Sequence, residues 1–335
     1  MSEAVADHRR AERAEVLHEL QEADKLVVVT HENPDGDALG SLIAMQAILS
    51  QLGKDCLMFI AQSDLPLPQE YTFFPLANLV TEPPNDLHDR TLVFLDCGNL
   101  ERNPATAFQA PGVHILNIDH HHDNTRFGTV NLVVDDASCT AEIVWELMGD
   151  LGVTPTSVIA DALYVGLITD TGRFMYENTG RKAHVMAADL IDAGVDVHGV
   201  YRRVYEDVPY GKLALLARGL ANIERYDGGR LTMSALTESD FTDSEAQESF
   251  SEGVIDHLRA VEGTELAALV RDRIGNPEVA GQRKVSLRSS NDRVDVSLIA
   301  RAAGGGGHKQ AAGFSTVLSH DELVQFLRQQ LAAQL

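Results

Sequence analysis

The sequence is poor in cysteine, and its three cysteines, Cys56, Cys97 and Cys139, lie far apart. This number and spacing exclude a disulfide framework and a cysteine-rich zinc site. Long apolar runs are also missing, because no stretch approaches the roughly 18 to 20 apolar residues that a membrane span needs. The segment Met1–Asp24 is charged and has no apolar core of a signal peptide. These absences predict a cytoplasmic protein that does not engage a membrane.

Basic residues are scarce too: 27 Lys and Arg stand against 50 Asp and Glu, which gives a net charge of −23. Affinity for long nucleic acid depends largely on basic side chains that neutralise many phosphates. The balance therefore argues against long nucleic acid as a partner. A small anion can still bind where metal ions or a local Arg and His cluster reverse the field.

Apolar residues are plentiful, at 44% of 335 residues, and this is enough for two domains with separate cores. In roughly the first 190 residues, apolar runs alternate with helical patterns, which predicts an α/β domain with a doubly wound parallel sheet. From Arg230 the strands become shorter, and a helix is predicted over Glu245–Ala260. A second, smaller α+β domain is expected there. The predicted division is 1–195 for the first domain, 196–224 for a helical linker and 225–335 for the second domain.

Polar residues cluster directly after three apolar runs, and each run has the composition of a buried parallel strand. These runs are Leu26–Val29, Thr91–Leu95 and Ile115–Ile118. Open α/β sheets place their ligands at the carboxyl ends of such strands. The clustered residues, together with an aspartate that follows a predicted helix, are His31, Asp35, Asp37, Asp96, Asp119, His120, His121 and Asp170.

So many carboxylates at close range repel one another unless cations are present. Carboxylate and imidazole ligands without thiolate suit Mn²⁺ and Mg²⁺, and their number suits two ions about 3.5–4 Å apart. Such a pair can produce a nucleophile from water at neutral pH and hold a phosphoryl group for in-line displacement. The alternative is a set of unrelated helix caps and core histidines, with Asp37 as the N-cap of the helix that follows the first loop.

These residues also carry a family resemblance. His31-x3-Asp35-x-Asp37, Asp96 after its strand, Asp119-His120-His121 and GLITDTG ending at Gly172 resemble the four motifs of the DHH phosphoesterase superfamily. In the second domain, Arg288-Ser289, DVSLIA from Asp295 and GGGGHKQAAG over Gly304–Gly313 resemble the DHHA1 domain. The two-domain length is similar to that of the nanoRNase and pAp-phosphatase branch.

The resemblance implies which residues hold the ions. One ion would take His31, Asp35 and Asp96, and the other would take Asp37, Asp96, His120 and Asp170, so that Asp96 bridges. His121 is then implied to contact the scissile phosphate or protonate the leaving oxygen, and Asp119 to orient a histidine. The extra His122 makes the motif DHHH, so a shift of register onto His121 and His122 stays open.

The run Gly304–Gly307 has a functional interpretation of its own. Four glycines permit positive φ and close backbone approach, so their N–H groups can face an anion. His308 adds positive charge, and Arg288 at a strand end can pair bidentately with a terminal phosphate. The expected substrate-binding residues are Arg288, Gly305, Gly306, Gly307 and His308. A flexible linker is the alternative, but patterned segments lie immediately on both sides.

The resemblance implies a manganese-dependent phosphoesterase acting in a cleft between two domains, with Mg²⁺ as the other candidate metal. Its expected substrates are RNA oligomers of a few nucleotides, pApA and 3′,5′-bisphosphate adenosine (pAp), which the sequence does not rank. A cyclic-dinucleotide phosphodiesterase is the alternative enzyme. A nucleotide-binding sensor without catalysis is the alternative from another class. A homodimer is left open.

Overall fold

The chain forms two compact units, Met1–Asp207 and Val208–Leu335, each with its own six-stranded sheet. This computed structural model describes residues 3–273, 281–291, 293–307 and 309–335. The predicted domain boundaries at 195 and 224 stay predictions. Among the described residues, no helix has the length and apolarity to cross a bilayer.

The first unit is built on a wholly parallel sheet in the strand order β3-β2-β1-β4-β5-β6. Its strands are β1 (Lys25–Val29), β2 (Asp55–Phe59), β3 (Leu79–Val80), β4 (Thr91–Leu95), β5 (His114–Asp119) and β6 (Val130–Val133). Its helices are α1 (Glu3–Glu22), α2 (Gly36–Gln51), α3 (Thr140–Asp150), α4 (Ser157–Asp170), α5 (Arg181–Asp192) and α6 (Val197–Tyr201), followed by a π-helical turn over Arg202–Glu206.

Both faces of this sheet are buried, which explains why its strands are apolar without alternation. Val28 faces the helices and shares a core with Leu42 of α2 and Leu163 of α4. Val29 faces the other way, where Phe94 and Phe108 pack with ring centroids 6.2 Å apart. The predicted doubly wound parallel sheet is confirmed.

The second unit is a smaller α+β unit, as predicted, with strand order β11-β12-β10-β9-β8-β7. Its strands are β7 (Glu224–Tyr226), β8 (Leu231–Leu236), β9 (Leu266–Asp272), β10 (Arg283–Ser289), β11 (Gly306–Gly307) and β12 (Ala311–Thr316). Its helices are α7 (Tyr210–Ala221), α8 (Glu238–Asp243), α9 (Val254–Arg259), α10 (Val296–Ala302) and α11 (His320–Ala332). Strands β8 and β9 pair in parallel, and the other pairs are antiparallel.

The helix predicted over Glu245–Ala260 is wrong in extent. A short 3-10 turn, Glu248–Ser251, and helix α9 replace it. Glu252 between them is extended, and Gly253 has φ 85°. Because that conformation lies outside the right-handed helical region, the chain turns there and the helix starts again at Val254.

Candidate metal centre

Asp96 lies at the middle of the candidate site, directly after β4. Its φ is 57°, a left-handed conformation that is uncommon for a residue other than glycine. The bend is held because its N–H donates to the Ile118 carbonyl at 3.2 Å, and the Thr140 hydroxyl donates to its Oδ1 at 3.0 Å. Its side chain is 3% exposed. Such a backbone conformation in a buried, supported residue is typical of functional sites.

The two carboxylate oxygens of Asp96 face different histidines. Oδ2 lies 3.7 Å from Nε2 of His31, and Oδ1 lies 3.6 Å from Nε2 of His120. These distances are too long for hydrogen bonds. Ligand atoms about 2.0–2.2 Å from one ion stand about 3–4 Å from each other. Each histidine therefore shares with Asp96 a space of the size that one ion needs, as a bridging carboxylate requires.

The structure brings the predicted metal ligands into three overlapping groups whose candidate ligand atoms lie within 4.8 Å of one another. These groups are His31, Asp35 and Asp96; Asp37, His120 and Asp170; and Asp96, His120 and His121. The first two groups, joined by Asp96, contain the residues that the resemblance assigned to the two ions. His122 is exposed and belongs to none of the groups found among the described residues.

His31 is oriented by the loop that carries it. Its Nδ1 lies 2.7 Å from the Glu32 carbonyl, so this nitrogen donates, and in the neutral ring Nε2 presents its lone pair toward Asp96. Thr30 donates to the Leu95 carbonyl at 2.8 Å, and Asn103 donates to the Thr30 carbonyl at 2.7 Å. A histidine fixed through one nitrogen with the other presented is the usual arrangement at metal sites.

Asp35 and Asp37 accept hydrogen bonds from backbone N–H groups at the N-termini of two different helices. Asp35 is the N-cap of α2 and accepts from the N–H groups of Asp37 and Ala38, both at 3.1 Å. Asp37 is not that cap, contrary to the alternative interpretation of this loop. Its carboxylate instead crosses to the start of α3 and accepts from Thr140 N at 2.7 Å and Ala141 N at 2.9 Å. The helix N-terminus stabilises this buried negative charge.

A close helix crossing brings Asp37 and Asp170 to the same place. Gly36 at the start of α2 lies against Thr169 near the end of α4, so these two helix ends are in contact. A Cβ on Gly40 would lie only 2.4 Å from the Ala162 carbonyl, so the contact requires glycine. Asn178 then holds Asp170, since its Nδ2 donates to the Asp170 carbonyl at 3.1 Å and to Oδ2 at 3.2 Å.

The electrostatics of the site favour a bound cation. Burial, with the nearby carboxylates of Asp96, Asp170 and Asp35, raises the pKa of Asp37 well above its ordinary value. Burial also raises the pKa of Asp170 to about 6. For Asp96, burial is outweighed by His31, His121 and His120, which lower its pKa to about 2. Excess carboxylate charge with imidazole nitrogens fits divalent ions such as Mn²⁺ or Mg²⁺.

Asp119 and His121 form a pair beside the ligands. Oδ1 of Asp119 accepts from His121 Nδ1 at 2.7 Å and from the His120 N–H at 2.8 Å, and Oδ2 accepts from Asn124 at 2.5 Å. Burial opposes a charge on His121, but the hydrogen bond to Asp119 raises its pKa to about 9. The Nδ1 of His121 also lies 3.6 Å from Oδ1 of Asp96, but it differs from the Nε2 of His120 because its proton is donated to Asp119.

The predicted substrate-binding residues lie in the second unit. Arg288 is half-buried on β10, and its Nη1 donates to the Leu287 carbonyl at 3.1 Å. Gly305 and Gly307 are required by packing, since a Cβ would lie 2.2 Å from the Gly313 carbonyl and 2.5 Å from the Ala312 Cα, respectively. Gly306 is exposed and has open space beside it. His308 lies outside the described residues.

Sequence reasoning missed three supporting residues: Thr140, Asn124 and Asn178. Thr140 contacts two predicted ligands, through its hydroxyl to Asp96 and its N–H to Asp37. The only signal for it was its position directly before the helical pattern of the sequence over Ala141–Leu151. Neither asparagine stands in a pattern that would have identified it.

Comparisons with known proteins agree with this organisation. A model described as "DHH family, N-terminal domain" matches residues 25–167, and one described as "DHHA1 domain" matches residues 230–333. The bifunctional oligoribonuclease and PAP phosphatase NrnA of Thermus thermophilus is 32% identical over 90% of this chain and 86% of its own length. The Bacillus subtilis protein of the same name is 25% identical over 94% of this chain and 96% of its own.

Solved structures agree on the fold. An exopolyphosphatase-related protein from Bacteroides fragilis superposes with a TM-score of 0.84 at 23% identity, covering 97% of this chain and 96% of its own. The exonuclease RecJ bound to manganese gives a TM-score of 0.55 at 18% identity, covering 97% of this chain and 94% of its own.

Proposed function

The chain belongs to the DHH-family phosphoesterases that carry a DHHA1 domain, and we propose that it uses two divalent ions, Mn²⁺ in preference to Mg²⁺, to hydrolyse short nucleotides. The proposed substrates are RNA oligomers of a few nucleotides, pApA and pAp. Support comes from relatives whose names state oligoribonuclease and PAP phosphatase activities. The net charge of −23 agrees, because an acidic surface repels long RNA.

The observation that carries the proposal is the position of Asp96. Its two oxygens face His31 and His120 separately, at 3.7 Å and 3.6 Å. We assign the first ion to His31, Asp35 and Asp96, and the second to Asp37, Asp96, His120 and Asp170. When bound, the ions would supply a nucleophile from water and neutralise charge on the phosphoryl group.

His121 has the geometry of a proton donor. Asp119 fixes its Nδ1 at 2.7 Å, and this hydrogen bond raises the pKa of the ring, which favours its protonated form. We assign the proton on Nε2 to the scissile phosphate or the leaving oxygen. Asp119 is a positioning residue, because it reaches the reaction only through the histidine.

The second unit supplies the candidate contacts for the rest of the substrate. Arg288 lies close enough to the buried Arg271 that it helps burial to lower the pKa of Arg271. Two neighbouring guanidinium groups are relieved by an anion, and Arg pairs well with phosphate. We propose that Arg288, the open backbone at Gly306 and His308 contact a remote phosphate or base, whereas Gly305 and Gly307 shape the loop by packing.

Steady-state assays test the function directly. The metal-loaded protein is given pAp, pApA, cyclic di-AMP and 5′-labelled RNAs of two to twenty-four nucleotides, with Mn²⁺ and then with Mg²⁺. We expect the highest kcat/KM on substrates of a few nucleotides, with loss of activity after chelation and recovery with Mn²⁺. Preference for long RNA or cyclic di-AMP would overturn the substrate assignment. Nucleotide binding with no turnover would instead indicate a sensor.

A further inference from the structure

Two large apolar side chains are exposed beside the candidate metal centre. Met175 is 81% exposed and Tyr176 is 62% exposed. Both lie on the loop that follows Asp170 at the end of α4. Single exposed apolar side chains are ordinary in folded proteins, but these two are adjacent in sequence and stand next to a candidate site.

The loop that carries them is held firmly. Met175 N and Tyr176 N both donate to the Thr171 carbonyl, at 2.9 and 3.0 Å, and Thr179 N donates to the Tyr176 carbonyl at 3.0 Å. Asn178 donates to the Ser138 carbonyl at 2.7 Å and also to Asp170. The exposure of Tyr176 is therefore set by a well-bonded loop that is tied directly to a candidate ligand.

The ring of Tyr176 has one covered face. A Cβ on Gly172 would lie 2.5–2.6 Å from three adjacent ring carbons, so the glycine lies against the flat side of the ring. Gly172 has φ 54° and stands two residues after Asp170. Backbone thus supports one face of the ring next to the metal centre, and most of the side chain remains open to solvent.

The surroundings of Tyr176 have the composition of a single-strand binding surface. Arg173 stands over the ring of Tyr205 with its Cζ 5.1 Å from the centroid, and Tyr201 lies 5.2 Å from Tyr205 between ring centroids. Tyr176 is close enough to Tyr205 to interact with it electrostatically. Aromatic rings interleaved with arginine bind nucleotides by stacking, whatever the base.

We propose that Tyr176 stacks on the base of the nucleotide whose phosphate lies at the metal centre. The inference rests on the proposed function, because it places that nucleotide at Asp170. A base on the open face of the ring would lie between the aromatic side chain and solvent, which is the arrangement that gives stacking without base specificity. Tyr176 is then a determinant of affinity for nucleotides over phosphate esters that have no base.

The test compares pApA with analogues in which either adenine is replaced by hydrogen. Loss of one stacked base costs about five- to 150-fold in affinity. We expect Tyr176→Ala to raise KM for pApA within this range, and to leave KM unchanged for the analogue that lacks the stacked base. Tyr176→Phe and Tyr176→Trp keep a ring and should stay near wild type. Tyr210→Ala, at an 84% exposed tyrosine of the second unit, is the matched control.

A binding measurement separates this inference from the proposed function. In Tyr176→Trp, AMP should quench the added fluorescence above the background of the single native tryptophan, and ribose 5-phosphate should not. Equal effects of Tyr176→Ala on pApA and on both analogues, or no effect, would overturn stacking. If wild type does not hydrolyse pApA but AMP still quenches, the proposed function fails and the stacking inference stands.

Discussion

The two sheets of this protein differ in strand direction, and that difference explains why the candidate metal ligands gather at one edge of the first sheet. In the first unit all six strands are parallel, so the carboxyl ends of β1, β4 and β5 lie at the same edge of the sheet. His31, Asp96 and His120 follow those ends. In the second unit β10 runs antiparallel to both neighbours, so consecutive strand ends lie at opposite edges. A parallel sheet collects ligands from distant parts of the sequence, and an antiparallel one separates them.

What the second sheet brings together is positive charge along neighbouring strands. Arg271 of β9 donates to Ser286 of β10 at 3.2 Å, and Arg288 is close enough to Arg271 for the two charges to interact. Arg288 lies further along β10. We therefore expect the two units to respond differently at the residues proposed here. Substitutions of the candidate ligands and of His121 in the first unit should lower kcat, whereas substitution of Arg288 in the second unit should raise KM.

The largest effect is expected from Asp96→Asn. Asparagine keeps the shape but offers one neutral oxygen where two charged oxygens now face His31 and His120. Both ion positions are weakened together, so kcat should fall by more than the roughly 10–100-fold typical when a partner of a metal ligand is lost. The measurement is kcat on pApA beside metal content per chain by mass spectrometry. Near-normal turnover with two ions retained would contradict the bridging role.

His121→Ala is expected to separate kcat from metal binding within the same unit. The histidine donates to Asp119, and we assign it to the substrate and to neither ion, so metal content should stay near wild type. Removing a proton donor lowers kcat by about 10²–10⁴-fold. The readouts are kcat and metal content per chain.

His122→Ala is the matched control, because His122 is an exposed neighbour in the same motif and should keep full activity. Loss of metal from His121→Ala, or from this control, would show that the ligand register is shifted by one residue.

A smaller effect is expected from Thr140→Val, which removes the hydroxyl that donates to Asp96 at 3.0 Å while keeping the size of the side chain. The backbone N–H of residue 140 still donates to Asp37. Loss of such a supporting contact costs about 10–100-fold in metal affinity or activity. Titration calorimetry with Mn²⁺ measures the change, and Thr140→Ser, which restores the hydroxyl, should recover most of it. Equal affinities in the two variants would show that the hydroxyl does not matter.

Thr140 also shows which kind of contact could not be predicted from the sequence. The grouping of the His and Asp side chains could be predicted, because strands produce long apolar runs and because the carboxyl ends of parallel strands lie at one edge of the sheet. Thr140 reaches Asp96 across 44 residues of sequence, through the packing of α3 onto the strand ends. No local pattern encodes that distance. The same holds for Asn178, whose contact with Ser138 spans 40 residues.

The fold, like the site, could be predicted only in part from the sequence. Central strands such as β4 follow from burial on both faces, whereas the edge strand β3, two residues long and partly buried, has no comparable signal. The break before α9 depended on the conformation of Gly253, which a helical pattern cannot reveal. Glycines 305 and 307 suggested an anion nest from sequence, but their close approach to β12 gives packing as an independent reason for them.

The smallest effect, and the one that tests the other half of the comparison, is expected from Arg288→Ala. If Arg288 contacts a remote phosphate, its loss should raise KM for pApA by about tenfold, the cost of one hydrogen bond to a charged group, and leave kcat and metal content unchanged. His308→Ala should act in the same direction. Lys284→Ala is the matched control, since Lys284 lies four residues earlier on the same strand, and therefore on the same face of the sheet.

The salt dependence makes that prediction specific to phosphate. Each phosphate neutralised on a single strand contributes a slope of about −0.7 to the logarithm of affinity against the logarithm of salt concentration. Arg288→Ala should therefore flatten the slope by about 0.7, and Lys284→Ala should leave it as in wild type. Because few phosphates are expected to be neutralised in so acidic a chain, the wild-type slope itself should be shallow. A fall in kcat with an unchanged slope would place Arg288 in the chemistry and remove the division of roles between the two sheets.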